Sequence, residues 1–230
     1  MEYVPGKTAM KVLEGAKDEA AEDAVYASIA FALSELHRIP APPGTPPRGA
    51  GGGRIRNDAF DLRETPVDYQ SVVQLEEHFN EFLSRTRNKT RFQDLTREPM
   101  VFCYSDVWLG NFMIGHDGSV TVIDFADASF LPSSFSKFVT QWRWGDIKRD
   151  ITDIVITPTA KGVDNTRAIS VVAGYIVQAS GSFSKIGRRM LDVKNDAYPD
   201  PILDNLDDVD KVMVDALGQP IVNYSIYVSK

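Results

Sequence analysis

The sequence is poor in cysteine and histidine and has no excess of positive charge. Cys103 is the one cysteine in 230 residues, which excludes an intrachain disulfide and gives no sign of an oxidising compartment. The three histidines, His37, His78 and His116, have no ligand spacing to one another, which argues against a histidine-based metal centre or hydrolase. Lysine and arginine number 25 against 32 acidic residues, for a net charge of −7 and a pI near 5.0. That balance argues against a nucleic-acid partner, whose phosphates need a basic face. The longest apolar run, ISVVAGYIVQA at 169–179, is too short to span a bilayer. The N-terminal MEYVPGKTAM has no apolar signal core. The expectation is a cytoplasmic protein without a membrane partner. No internal repeat is found.

What is present is ordinary globular composition, with 43% hydrophobic and 25% charged residues, enough for one medium domain or one lobe of a larger protein. Residues 1–8 read as extended, with a turn at Pro5-Gly6. Residues 17–38 read as a helix. Asp18, Glu19, Glu22 and Asp23 crowd its first turns, and Val25, Ile29, Leu33 and Leu36 recur at helical spacing. His37 and Arg38 close it before Pro40. Residues 40–56 form a Pro/Gly-rich surface loop. No strand leads into it and no Gly-Lys-Ser/Thr follows, so a phosphate loop is disfavoured. A second helix spans 68–87, with Val72, Leu75, Phe79 and Phe82 on one face. Arg85, Arg87, Lys89 and Arg91 after it read as a solvated end, with an anion site as the minor alternative.

Strands and a hairpin are expected over 99–130, a short helix capped by Ser133 or Ser134 over 133–141, and a helix opened by Asp164 or Asn165 over 164–191. Residues 192–230 are acidic and poorly periodic, which predicts a loosely packed tail after a domain at 1–191. That tail lacks the glycine and closing glutamate of a calcium loop. Phe130, Phe135, Phe138 and Cys103 are assigned to the core. Trp142 and Trp144 are assigned to packing, His116 to a solvated turn, His37 to a helix end and His78 to a helix surface.

The stretch FCYSDVWLGNFMI, residues 102–114, places Asp106 and Asn111 five residues apart among aromatic side chains. Burying a carboxylate there is costly unless it is paired. The chain continues through Asp117-Gly118, a strong hairpin signal. With a two-residue turn, Asn111 faces Asp124 across the hairpin, with their Cβ atoms about 5 Å apart. A four-residue loop slides the pairing by two and keeps the pair on one face. Two readings of this pair stay open on spacing alone. One is a polar hairpin end satisfied by backbone bonds. The other is a pair of hard oxygen ligands for Mg²⁺, with Asp106 orienting a hydroxyl and accepting its proton.

Asp106-x4-Asn111, followed by Ile123-Asp124-Phe125, resembles the catalytic core of the aminoglycoside phosphotransferase and choline kinase-like group, relatives of the protein kinases. Leu36-His37-Arg38-Ile39-Pro40 resembles a further feature of that group. YSDVWLGNFMI, VIDFADASFLPSSF and GVDNTRAI are most similar to fungal members. The resemblance covers roughly residues 1–190.

It implies an α+β, predominantly helical fold: a protein-kinase-like C-terminal lobe with a small catalytic β-hairpin. By the resemblance Asp106 is the base, Asn111 and Asp124 hold Mg²⁺, and ATP donates a phosphoryl group to a small-molecule hydroxyl. MEYVPGK resembles the hinge that meets the adenine, so Glu2 and Val4 are the implied nucleotide contacts. Starting there, the chain is expected to have its N-terminal lobe absent and to expose a hinge face suited to a protein partner. Tyr104-Ser105 stands where the group has His-Gly, so Asp106 is expected to be held differently. A truncated, non-catalytic interaction module is the alternative to an active phosphotransferase.

Overall fold

The computed structural model describes residues 4–60, 63–65, 67–84, 86–141 and 149–178. A short strand β1 (Lys7–Thr8) runs into helix α1 (Ala9–Glu14), where the Thr8 side chain accepts a hydrogen bond from the Lys11 amide at 3.3 Å. This helix lies just past the extended segment expected over 1–8. It is too short to show a hydrophobic period, and its cap is its main local signal. Helix α2 (Glu19–Leu36) is capped by Asp18, whose carboxylate accepts from the Ala21 amide at 2.9 Å. It buries Val25, Ile29 and Leu33, the face its spacing predicts.

Strand β2 (Arg48–Gly49) is a two-residue strand within the otherwise irregular loop at 40–56. Helix α3 (Val72–Ser84) starts later than expected because the Ser71 hydroxyl accepts from the Gln74 amide at 3.1 Å and sets its first turn. Its buried face carries Leu75, Phe79 and Phe82. His78 is a correction. It is buried, not at the surface, and its Nδ1 is hydrogen-bonded to the Tyr69 hydroxyl at 2.6 Å.

Strands β3 (Met100–Tyr104), β4 (Phe112–Ile114), β5 (Val120–Val122) and β6 (Ala128–Pro132) follow. They form two small antiparallel sheets, ordered β1-β4-β5 and β2-β6-β3. In the second, Met100 pairs with Pro132 and Tyr104 with Ala128. The central strand β6 is buried along its whole length, so both faces of this small antiparallel sheet are covered at its centre.

The hairpin β4–β5 departs from the expected register. Ile114 pairs with Val120 and Phe112 with Val122. The Gly115 amide bonds the Ser119 carbonyl at 2.8 Å, so residues 116–118 form a three-residue loop. Gly118 adopts φ +80°, a conformation in which glycine has no steric penalty. A one-residue change in register exchanges the two faces of the strand, so Asn111 and Asp124 are not directly opposed.

Helices α4 (Ser133–Val139) and α5 (Thr166–Gln178) pack beyond β6. Neither Ser133 nor Ser134 caps α4 with its own hydroxyl. Its first turn is served by the buried carboxylate of Glu98, which accepts from the Ser134 amide at 2.8 Å and the Ser134 hydroxyl at 2.6 Å. The same carboxylate accepts from Asn165 Nδ2 at 2.7 Å, just ahead of α5, while Asp164 takes the Thr166 amide at 2.9 Å. Two helix starts thus compensate one buried charge.

The core is centred on Phe79, whose ring centroid lies 5.1–6.2 Å from those of Phe60, Phe92 and Phe135. Phe130, Phe135, Phe138 and Cys103 are buried as expected. Burial pushes the Cys103 thiol up to about 12. The architecture is mixed α/β, with five α-helices and two sheets among the described residues. No helix among them is long and apolar enough to cross a membrane. Trp142, Trp144, the second half of the helix expected over 164–191 and the tail at 192–230 lie outside the described residues.

Candidate active site

Antiparallel pairing explains why the chemistry gathers at one point. The C-terminal end of β3 lies beside the N-terminal end of β6, and the Ser105 amide bonds the Asp127 carbonyl at 2.9 Å. Asp106 leaves β3 at that end, and Asp124 and Asp127 precede β6 at the same end. Between them the chain runs through a tight loop and the β4–β5 hairpin.

The five-residue spacing from Asp106 to Asn111 closes a loop. The Trp108 amide bonds the Asp106 carbonyl at 2.7 Å, and the Asn111 amide bonds the Trp108 carbonyl at 2.9 Å. Gly110 lets the Trp108 ring lie over the loop, because a Cβ at that position would lie 2.3 Å from the ring and displace it. Asn111 then folds back. Its Nδ2 donates to Asp106 Oδ2 at 2.8 Å and to the Asp106 carbonyl at 3.1 Å. Asn111 is buried and Asp106 is half-buried.

The other Asp106 oxygen, Oδ1, accepts from Arg63 Nη1 at 2.9 Å. The same nitrogen reaches Asp127 Oδ2 at 3.1 Å, and Arg63 Nε reaches Asp58 Oδ1 at 2.9 Å. Arg56 holds the second oxygen of Asp127 at 2.9 Å and Glu64 at 2.8 Å. Burial alone would lower the Arg63 pKa, but the carboxylates of Asp58, Asp106 and Asp127 more than reverse this and hold it above its ordinary value. The Arg56 guanidinium is likewise raised, first by its bond to Asp127.

Asp124 sits just after β5 in the left-handed region, with φ 59° and ψ 76°. Its side chain is exposed, and Oδ1 makes only a long bond to the Ala126 amide, at 3.4 Å. Of the three non-glycine residues with positive φ among those described, two are at this site: Arg63 and Asp124. Such conformations cost about 1–2 kcal/mol each and persist where the surroundings over-determine them.

Tyr104 and Ser105, the pair that departs from the family pattern, both hold the site together. The Tyr104 hydroxyl donates to the Ile123 carbonyl at 2.8 Å, one residue before Asp124. Its ring meets Phe125 edge-on at 5.4 Å. Burial raises the Tyr104 pKa, and the negative charges of Asp106, Asp124 and Asp127 raise it further. All three carboxylates therefore act on this one phenol. Ser105 Oγ accepts from the Asp58 amide at 2.8 Å, tying the segment after β2 to the base of the loop.

Asp106 and Asn111 are thus in direct contact. Asp124 is near them but offset, because the Ile123 amide bonds the Asn111 carbonyl at 2.9 Å and Asp124 follows that pair. Val4 is half-buried ahead of β1, and Glu2 lies outside the described residues.

No group of three or more acidic, histidine or cysteine side chains able to hold a metal occurs among the described residues. The donors that fit Mg²⁺ are the Asn111 amide oxygen, which does not bond Asp106, and the exposed Asp124 carboxylate. Two hard oxygens from protein suit an ion that keeps water or phosphate in its other positions. Sequence reasoning missed Arg63, Asp58 and Asp127. The first two are remote in sequence from the motif and carry no local signal, and Asp127 lies inside the VIDFADASF motif.

Of the basic run after α3, Arg91 uses Nη1 on the Asn88 and Thr90 carbonyls at 2.8 and 2.7 Å. Arg85 lies outside the described residues. His37 does end α2, but as a buried residue. Its ring bonds the Ile156 carbonyl at 3.0 Å and the Ser136 hydroxyl, and burial lowers its pKa.

No curated protein matches the chain significantly. A family model, that of the phosphotransferase enzyme family APH, matches residues 1–147, a span that holds Asp106, Asn111 and Asp124. The chain belongs to this aminoglycoside phosphotransferase family, whose general activity is phosphoryl transfer.

Proposed function

We propose that the chain is an ATP- and Mg²⁺-dependent phosphotransferase acting on a small-molecule hydroxyl, with Asp106 as base and Asn111 and Asp124 as metal ligands. The observation that carries this reading is the fixed Asp106 carboxylate. One oxygen is held by Arg63 and the other by Asn111, at 2.9 and 2.8 Å, and Asp124 follows Ile123, whose amide bonds the Asn111 carbonyl at 2.9 Å. Bound Mg²⁺-ATP supplies the transferable phosphoryl group and offsets its charge.

The chain's own residues do the rest by positioning. A carboxylate oxygen has about two lone-pair sites. Each Asp106 oxygen uses one on its protein partner and keeps one for an acceptor. An acceptor hydroxyl bonded there gives its proton to Asp106 as its oxygen bonds to phosphorus and ADP leaves. Asn111 keeps the carboxylate from rotating, and Tyr104 fixes the backbone at Ile123 that presents Asp124.

The test is Mg²⁺-dependent release of phosphate from ATP, with water as acceptor, by the full chain and by Asp106→Asn. Turnover that falls about 100-fold or more in the variant is the expected result for a lost base. Absence of turnover in the unchanged chain, or equal turnover in the variant, would contradict the assignment.

A further inference from the structure

Two large aromatic side chains stand exposed at the site. Phe125, next to Asp124, is 45% exposed, and Trp108, two residues after Asp106, is 41% exposed. Packing accounts for Phe125, whose ring meets those of Phe102 and Tyr104 edge-on at 6.0 and 5.4 Å. Trp108 is placed differently. Its amide bonds the Asp106 carbonyl at 2.7 Å and its carbonyl accepts from the Asn111 amide at 2.9 Å, so its backbone is fixed by both residues of the motif. Its ring lies over Gly110, where a Cβ would come within 2.3–2.6 Å of three ring carbons.

The backbone does not ask for that glycine. Gly110 lies outside the left-handed region, so alanine would suit the turn as well. What glycine supplies is room for the indole. A tryptophan serving the core would be buried, and a merely solvent-facing position would need no seat for its ring. The seated indole leaves a flat apolar face in water, which a bound ring would cover. Two residues of chain span at most about 7 Å. A molecule whose hydroxyl bonds Asp106 therefore has its body within reach of that face. The carboxylates of Asp106 and Asp124 oppose an anion there.

Building on the phosphotransferase reading above, we propose that Trp108 is the specificity-determining residue of the site. Its exposed face stacks on a flat ring of the acceptor, an alcohol without acidic groups whose hydroxyl is carried on or beside that ring. Gly110 seats the indole for this contact. The same short loop thus places the base, Asp106, and the surface that selects what the base acts on.

The experiment compares benzyl alcohol with cyclohexylmethanol, which carries the same hydroxymethyl group on a puckered ring of similar size. Each is titrated into the full chain without nucleotide and followed by saturation-transfer NMR of the alcohol's protons. Both are then offered together at equal concentration with Mg²⁺-ATP, and the two phosphate esters are counted by mass spectrometry. The unchanged chain is expected to prefer benzyl alcohol about fivefold in both measurements. The preference falls to about twofold or less in Trp108→Leu and in Gly110→Ala, and is largely kept in Trp108→Phe.

A purely structural role would not move this ratio, because a loosened loop weakens both alcohols alike. The absence of any preference in the unchanged chain, or a preference that survives in Trp108→Leu or in Gly110→Ala, would overturn the proposal. The phosphotransferase reading fails separately, if neither ester forms and ATP turnover does not depend on Asp106. The nucleotide-free ratio still decides in that case whether Trp108 binds a flat ring.

Discussion

Glu98 offers a stringent test of how the site's scaffold is held. It is 5% exposed and lies two residues before β3, the strand that delivers Asp106. No arginine or lysine pairs with it among the described residues. Its charge is balanced by donors at the starts of α4 and α5. Glu98→Ala removes the acceptor for the Ser134 amide and hydroxyl, at 2.8 and 2.6 Å.

Asn165 is better insured. Its amide also reaches Ser134 Oγ at 2.7 Å, and its Nδ2 also reaches the Gln93 carbonyl at 3.0 Å. The two close donors of Ser134 are thus left unpaired, at about 1–3 kcal/mol each, and the Ser133 hydroxyl loses a long bond of 3.5 Å. With the lost packing, and less the desolvation of the charge, the net cost is about 3–5 kcal/mol. In a chain of this size that lowers the melting temperature by roughly 10 °C. Glu98→Gln, which keeps the shape but replaces one acceptor with a donor, should cost about half as much.

The assay is urea denaturation alongside a thermal melt, with Ser134→Ala as the partner for a double-mutant cycle. A drop below about 3 °C in Glu98→Ala would refute the reasoning, because water would then be serving the two helix starts in place of the carboxylate.

Tyr104→Phe removes the hydroxyl that bonds the Ile123 carbonyl and is expected to cost about 1 kcal/mol in urea denaturation. It should also weaken nucleotide-dependent stabilisation, because Asp124 follows Ile123 directly. His37 predicts a pH dependence. Burial lowers its pKa below 6.5, so the fold holds it neutral while the unfolded chain takes up a proton. Its stabilising contribution is present above 6.5 and declines as pH falls from there toward the depressed value, by at most about 1.4 kcal/mol per unit. Urea midpoints at decreasing pH should show this slope in the unchanged chain and a flatter one in His37→Gln.

How far the sequence could be read depended on whether each signal was local. The buried faces of α2 and α3 followed from apolar spacing, whereas the five-residue interval put Asp106 only in the neighbourhood of Asn111 and their direct contact depends on how the tight loop closes. Helix α1 carries six residues and no period, so only the Thr8 cap marked it. The hairpin register missed by one because Asp117-Gly118 forms the end of a three-residue loop and not a complete two-residue turn.

His78 looked like a surface residue until Tyr69 supplied its partner. Glu98 gave no sign that it serves α4, because its donors are 36 and 67 residues away. Arg63 lies 43 residues from Asp106. A side chain recruited across that distance by charge leaves no periodic trace.

The central claim is that Asp124 and Asn111 hold the metal that brings ATP to Asp106. Calorimetric titration of ATP, with and without Mg²⁺, into the full chain and Asp124→Asn tests it most directly. Asparagine tolerates the left-handed backbone at this position, so the variant changes charge with little change in fold. The account predicts ATP binding that requires Mg²⁺ in the unchanged chain and is weakened at least about tenfold in Asp124→Asn, a difference of about 1.4 kcal/mol. ATP binding that ignores Mg²⁺, or that is equal in the two proteins, would contradict it.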